Sequence, residues 1–230
     1  MSINAFFWIL IILAFGLTIW AQFRVKGTFK KYADVPNARG LTGYEAARHM
    51  LDSNGLQNVP IEPIIGSRGS LGDHYDPVHR VVRLSEDVYY QNSISAVSVA
   101  CHEIGHAIQH KTHYPMLALR HRIFPVVNFT SGIAPFLILA GAIFSSFSLL
   151  GLGIIFFSAA VVFQLVTLPV EFNASNRARD IMVAEGYVTN EEERSVGKVL
   201  NAAALTYVAA ALLSVLELLR LVFMFVGNRD

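Results

Sequence analysis

The stretch SVACHEIGHAIQH, residues 98–110, sets His102, His106 and His110 at intervals of four with Glu103 among them. Residues 93–111 hold good helix formers, open on the polar pair Asn92 and Ser93, and meet no proline until Pro115. On such a helix His102 and His106 share one face about 6 Å apart along the axis, so both imidazoles can reach one ion. Glu103 follows the first histidine, where it can act as general base on water without being a ligand. This is the zincin pattern H-E-x-x-H. Val97, Ala100, Ile104, Ala107 and Ile108 give the helix an apolar flank and predict burial among other elements. Gly105, costing about 1 kcal/mol against alanine inside a helix, predicts a close neighbour there. Cys101 points roughly 100° away from His102 around the helix and reads as packing.

A catalytic zinc usually takes three protein ligands and one water. His110 lies about 12 Å along the axis from His102, too far to share the ion on a straight helix. The metzincin pattern would need a histidine six residues past His106, but that position is Thr112. A distant carboxylate is the better candidate.

The elements that must bring it there are set by an apolar chain. Hydrophobic residues make up 53% and charged residues 15% of the 230, and the mean hydropathy is +0.46, the balance of a membrane protein. A net charge of +1 supplies no basic face for nucleic acid. One cysteine excludes an intrachain disulfide. Residues 3–23 form a charge-free first span. Its basic residues follow the apolar run, unlike those of a cleaved signal peptide. Residues 123–168 are again uncharged and long enough for two spans, 123–146 and 149–168, with a turn near SSFSLLGLG. A fourth run, 202–226, contains Glu217 and Arg220 at i and i+3, either self-neutralised within a bundle or marking an earlier helix exit.

Arg24, Lys26, Lys30 and Lys31 follow the first span, Arg120 and Arg122 precede the second, and Arg177 and Arg179 follow the third. The positive-inside rule puts all of them in the cytoplasm and the N-terminus and the C-terminal GNRD outside. The expectation is an α-rich integral membrane protein with four transmembrane helices and a small α+β zincin-like domain over residues 24–122. Residues 169–201 would form a cytoplasmic helical segment that completes the metal site. In that segment Glu171 follows Pro169 at the end of span three, and an even number of crossings returns it to the face of His106. It could complete a His, His, Glu site for one zinc ion, or be a solvated carboxylate near a helix start. Glu185 and residues 191–193 read as a solvated face.

The segments GDHYDPVHRVVRLSEDVYYQNSISAVSVACHEIGHAIQH and PVEFNASNRA resemble the YugP-type family of neutral zinc metallopeptidases of bacterial membranes, over nearly the whole chain. The resemblance implies a gluzincin-like membrane peptidase with His102, His106 and Glu171 as ligands and Glu103 as base. The chain is also distantly similar to the HtpX and CAAX prenyl protease group, whose downstream motif is a glutamate with an aspartate four residues later. Here that later position is Ser175.

On the substrate side, IEPIIGSRG and HRVVRL are β-prone runs separated by the turn-like GDHYDP, suggesting a hairpin or small sheet. Residues 78–84 are the candidate edge for holding an extended peptide. His74, Tyr75, His110, Tyr114 and Arg177 are candidate donors to a tetrahedral oxyanion, although nothing in spacing selects among them and an ordinary structural hydrogen bond is the simpler account of any one. Asp73 and Asp76 could orient a ligand histidine, bind a second cation, or simply form turns.

The expected function is a membrane zinc endopeptidase acting on membrane-proximal or unfolded protein substrates. A zinc-stabilised, non-catalytic adaptor and a metal-dependent ester hydrolase are the alternatives. Glu103 speaks against the adaptor, since a structural site needs no base and is usually closed by four ligands. The expected partners are a peptide or protein substrate and the bilayer, with room for membrane-protein partners or a homo-oligomer. Two imidazoles and a carboxylate suit zinc among the divalent ions.

Overall fold

The computed structural model describes residues 3–66 and 72–227, seven helices and a three-stranded sheet. Ser67–Gly69 of the first β-prone run and Asn228–Asp230 of the C-terminal GNRD lie outside the described residues. Two compact units emerge. One is Gln22–Tyr114 with Val170–Leu205; the other comprises residues up to Ala21, Pro115–Pro169, and residues from Thr206 onward.

Among the described residues, four helices are long and apolar enough to cross a membrane: α1 (Ile3–Ala33), α5 (Pro115–Ile143), α6 (Phe147–Ala184) and α7 (Asn190–Gly227). They outrun the uncharged stretches of the sequence, because the polar segments NASNRARD and EEERSVGK hold no proline to interrupt the hydrogen-bond ladder. Within the second unit, α5 and α6 are joined by a three-residue turn in which Ser145 takes a φ of 50°. The pair closes tightly beyond it: a Cβ on Gly141 would lie 2.6 Å from the Leu150 nitrogen. Glu217 and Arg220 neutralise each other on α7, with Arg220 Nε 3.0 Å from Glu217 Oε2 and its guanidinium 4.6 Å from the Trp8 ring centre. Phe136 and Ile155 project from this unit, as side chains facing lipid would.

The first unit has a core of its own. Helix α2 (Gly43–Ser53) begins with a capping box, in which Thr42 Oγ1 accepts from the Glu45 amide and Glu45 answers to the Thr42 amide. Met50 and Leu51 then pack on Val82, Leu84, Ile94, Val97 and Ile104, with Met182 and Val196 from the later segment. The sheet has the order β1-β3-β2, with β1 (Ile61–Ile64) parallel and β2 (His74–Asp76) antiparallel to β3 (Val81–Ser85). Residues 78–84 therefore do not provide a free edge. Val81, Val82, Leu84 and Ser85 are all buried, which suits a central strand covered on both faces. The edges are β1 and β2, the latter drawn from a segment whose Gly and Asp predicted a turn; Tyr75 of β2 pairs with Val82. Short helix α3 (Glu86–Tyr90) leads to α4 (Ile94–Lys111).

Candidate metal centre

Helix α4 starts at Ser93, whose hydroxyl accepts from the Ala96 amide at 3.1 Å, and buries Val97, Ala100, Cys101, Ile104, Ala107 and Ile108. Gly105 stands against α6. A Cβ built on it would lie 2.5 Å from the Ala174 carbonyl oxygen, so only glycine permits this approach of the two backbones. Four residues on, the buried Gln109 donates from Nε2 to the Val170 carbonyl at 2.8 Å and to Asn173 Oδ1 at 3.0 Å. These contacts fix the register of α6 on α4 and set Glu171 against the histidines.

The result is a compact group of His102, His106 and Glu171, one ligand atom from each lying within 4.8 Å of the others. Glu171 Oε2 is 3.4 Å from His102 Nε2 and 3.6 Å from His106 Nε2, and the imidazoles stand nearly perpendicular at 85°. Ligands about 2.0–2.1 Å from a tetrahedral zinc sit about 3.3–3.4 Å apart, and both distances from Glu171 lie close to that spacing. The remote nitrogens are also engaged: His102 Nδ1 lies 3.1 Å from Ser175 Oγ and His106 Nδ1 lies 3.0 Å from Gln109 Oε1. With Nε2 turned toward the ion position, each Nδ1–H donates to its oxygen and holds the ring in place. Burial alone would lower the His106 pKa, but the Glu171 carboxylate, with help from Glu103 and Gln109, raises it above the ordinary value. The pocket therefore attracts a cation, whether proton or metal.

Glu103 is buried beside this group, and its Oε2 accepts the Tyr75 amide at 3.0 Å. Behind it, Asp73 is pushed up to about 6, chiefly by burial and also by the charge of Glu103, against the opposing hydrogen bond from the Ser85 amide.

The remaining candidates are distributed elsewhere. His110 is hydrogen-bonded to the Tyr75 hydroxyl at 2.9 Å and is not one of the converging ligands. Exposed His74 holds the Gly72 carbonyl through Nδ1, and Arg177 donates to Asn173 Oδ1 at 2.8 Å, supporting the residue that holds Gln109. Half-buried Tyr114 donates its amide to the Gln109 carbonyl where α4 ends. Asp73 binds Ser85, and Asp76 binds His79 and Arg83; among the described residues neither meets His102 or His106. Sequence reasoning missed Gln109, although a buried-face amide three residues past a ligand was a visible signal. It also had no means of finding the Tyr75 amide, since a backbone donor leaves no trace in residue type.

Comparison with known proteins gives the family. A Bacillus subtilis (strain 168) protein described as "Putative membrane protease YugP" is 62% identical over 221 residues, spanning 96% of this chain and 97% of that protein. No solved structure matches the chain. The family described as "Putative neutral zinc metallopeptidase" matches residues 7–226, and the chain belongs to that family.

Proposed function

We propose that the chain is an integral membrane zinc endopeptidase that hydrolyses peptide bonds of membrane-proximal or unfolded protein substrates. The observation that carries this reading is the convergence of His102, His106 and Glu171, with Glu171 Oε2 3.4 Å and 3.6 Å from the two Nε2 atoms, beside a buried glutamate. Zinc held by those three residues would supply a Lewis acid that lowers the pKa of water toward 7. Glu103, fixed by the Tyr75 amide, takes the proton of the attacking water and returns it to the leaving amine. Ser175 and Gln109 hold the ligand rings in the tautomer the site requires. The small helix-and-sheet unit around α4 serves as a zincin-like domain. The basic residues flanking the apolar helices support a site on the cytoplasmic face of a bacterial plasma membrane with the N-terminus outside.

The test is turnover of unfolded protein by the purified, detergent-solubilised chain, with its zinc content measured alongside. Glu103→Gln should keep zinc and lose cleavage; equal cleavage by that variant would remove Glu103 from its role. Glu171→Ala should release the metal and His110→Ala should not. A wild type that holds zinc but cleaves nothing would leave the adaptor reading.

A further inference from the structure

Helix α4 carries its last turn, beyond the metal centre, into an open cleft of about 250 Å3. One wall is apolar, formed by Leu56, Val59 and Ala107. Arg80 and Lys111 make the rim cationic, His110 and His113 stand beside them, and no carboxylate lines it among the described residues. The Lys111 ammonium donates to the Asn54 and Gly55 carbonyls, which fixes its position without cancelling its charge. The exposed Arg80 guanidinium has no carboxylate partner among the described residues. This positive field is felt by His110, whose pKa is lowered by burial and then by Arg80 and His113.

The backbone beneath the rim is also unusual. Arg80 and His113 both lie in the left-handed region, with φ of 53° and 51°, where glycine is the easier residue. Two strained positions whose side chains line one cleft point to a use for those side chains.

Tyr75 joins the cleft to the reaction centre. Its amide donates to Glu103 Oε2 at 3.0 Å, and its hydroxyl meets His110 Nδ1 at 2.9 Å. His110 lies one helical turn, about 6 Å, beyond His106. An extended peptide advances about 3.3 Å per residue, so a group in the cleft sits roughly two or three residues from a bond held at the metal centre.

We propose that this cleft is a substrate subsite for a carboxylate carried on an apolar stem, the anion paired with Arg80 and Lys111 and the stem laid on Leu56, Val59 and Ala107. The proposal rests on the peptidase reading of the metal centre. The carboxylate belongs either to the substrate's C-terminus or to an Asp or Glu side chain; both present the same group to the guanidinium.

The experiment uses full-length zinc-loaded protein in detergent and a library of synthetic decapeptides made with free-acid or amidated C-termini. Wild type should prefer peptides with a carboxylate two or three residues from the cleaved bond. Arg80→Ala should lose about tenfold in kcat/KM on those peptides, mainly through KM, and little on their uncharged counterparts. Arg80→Lys should recover part of the loss, and Arg80→Glu should shift the preference toward a basic residue. A preference abolished by amidation assigns the chain end; one that survives amidation and follows internal Asp or Glu assigns the side chain. Cleavage indifferent to the carboxylate, or an equal fall on both peptide classes in Arg80→Ala, overturns the proposal. Binding of the same peptides to zinc-loaded Glu103→Gln, followed by fluorescence anisotropy, requires no turnover. If wild type cleaves nothing, the peptidase reading fails, while carboxylate-dependent binding that Arg80→Ala removes still supports the cleft and its absence refutes it.

Discussion

Replacing Gly105 by alanine adds one methyl group at the contact on which the metal centre depends. The new Cβ would lie 2.5 Å from the Ala174 carbonyl oxygen. Carbon and oxygen approach to about 3.3 Å at closest in favourable contacts, so α4 and α6 must part by about 0.8 Å. Glu171 lies one turn from Ala174 on α6, and metal–ligand distances tolerate only about 0.2 Å of error. Overpacking of this kind costs about 1–3 kcal/mol, while alanine returns about 1 kcal/mol of helix propensity. Net stability should therefore fall by no more than about 2 kcal/mol, whereas zinc affinity should fall by about 10–100-fold, the range seen when ligand support is disturbed. Competition against a chromophoric chelator would measure the affinity, and thermal melting in detergent the stability. Gly132→Ala in α5 is the control, because a Cβ there meets nothing within 4 Å. If Gly105→Ala binds zinc within twofold of wild type, the close approach of α4 to α6 is not what sets the third ligand.

Removing the oxygen partners of the ligand rings should act on the metal more than on the fold. Ser175→Ala should weaken zinc by about tenfold, and Ser175→Asp, which restores an acceptor for His102 Nδ1, should not. Gln109→Leu should weaken zinc similarly and cost about 1–3 kcal/mol in a melting experiment, since it strips the Val170 carbonyl of a buried donor. Asp73 titrates near 6 in the fold against 3.8 as its ordinary value, so the fold is favoured at low pH and loses stability as pH rises from about 4 to 6. That loss is on the order of 3 kcal/mol; Asp73→Asn should flatten it in melts across this range, and parallel curves would contradict the assignment. Glu217→Ala strands the largely buried Arg220 and should destabilise by about 3 kcal/mol, whereas replacing both by leucine should be close to neutral in the same assay.

What could be read from the sequence followed from how regular each feature is. His102, Glu103 and His106 were legible because a four-residue spacing has one meaning on a helix, and Gly105 marked the close approach that α6 makes. Counting crossings singled out Glu171 in the sequence, and its carboxylate lies 3.4 Å from His102 Nε2. The sheet order was not legible: strands of three to five residues carry too little periodicity, and the Gly and Asp around His74 and Tyr75 spoke for a turn. Pairing with the buried Val82 overrode that local preference. The helices run past the apolar stretches because hydropathy marks where lipid is suited, while the hydrogen-bond ladder stops only at a breaker. Ser175 stood in the sequence as a departure from a related motif; only its distance to His102 Nδ1 gives it a place in the site.

X-ray absorption at the zinc edge of the purified protein, compared with the Glu171→Ala variant, tests the assembled centre most directly. The account predicts one zinc per chain with two imidazole nitrogens and oxygen ligands at about 2.0–2.2 Å, and loss of the metal or of an oxygen scatterer in the variant. A wild type without zinc, or a spectrum unchanged when Glu171 is removed, would contradict it.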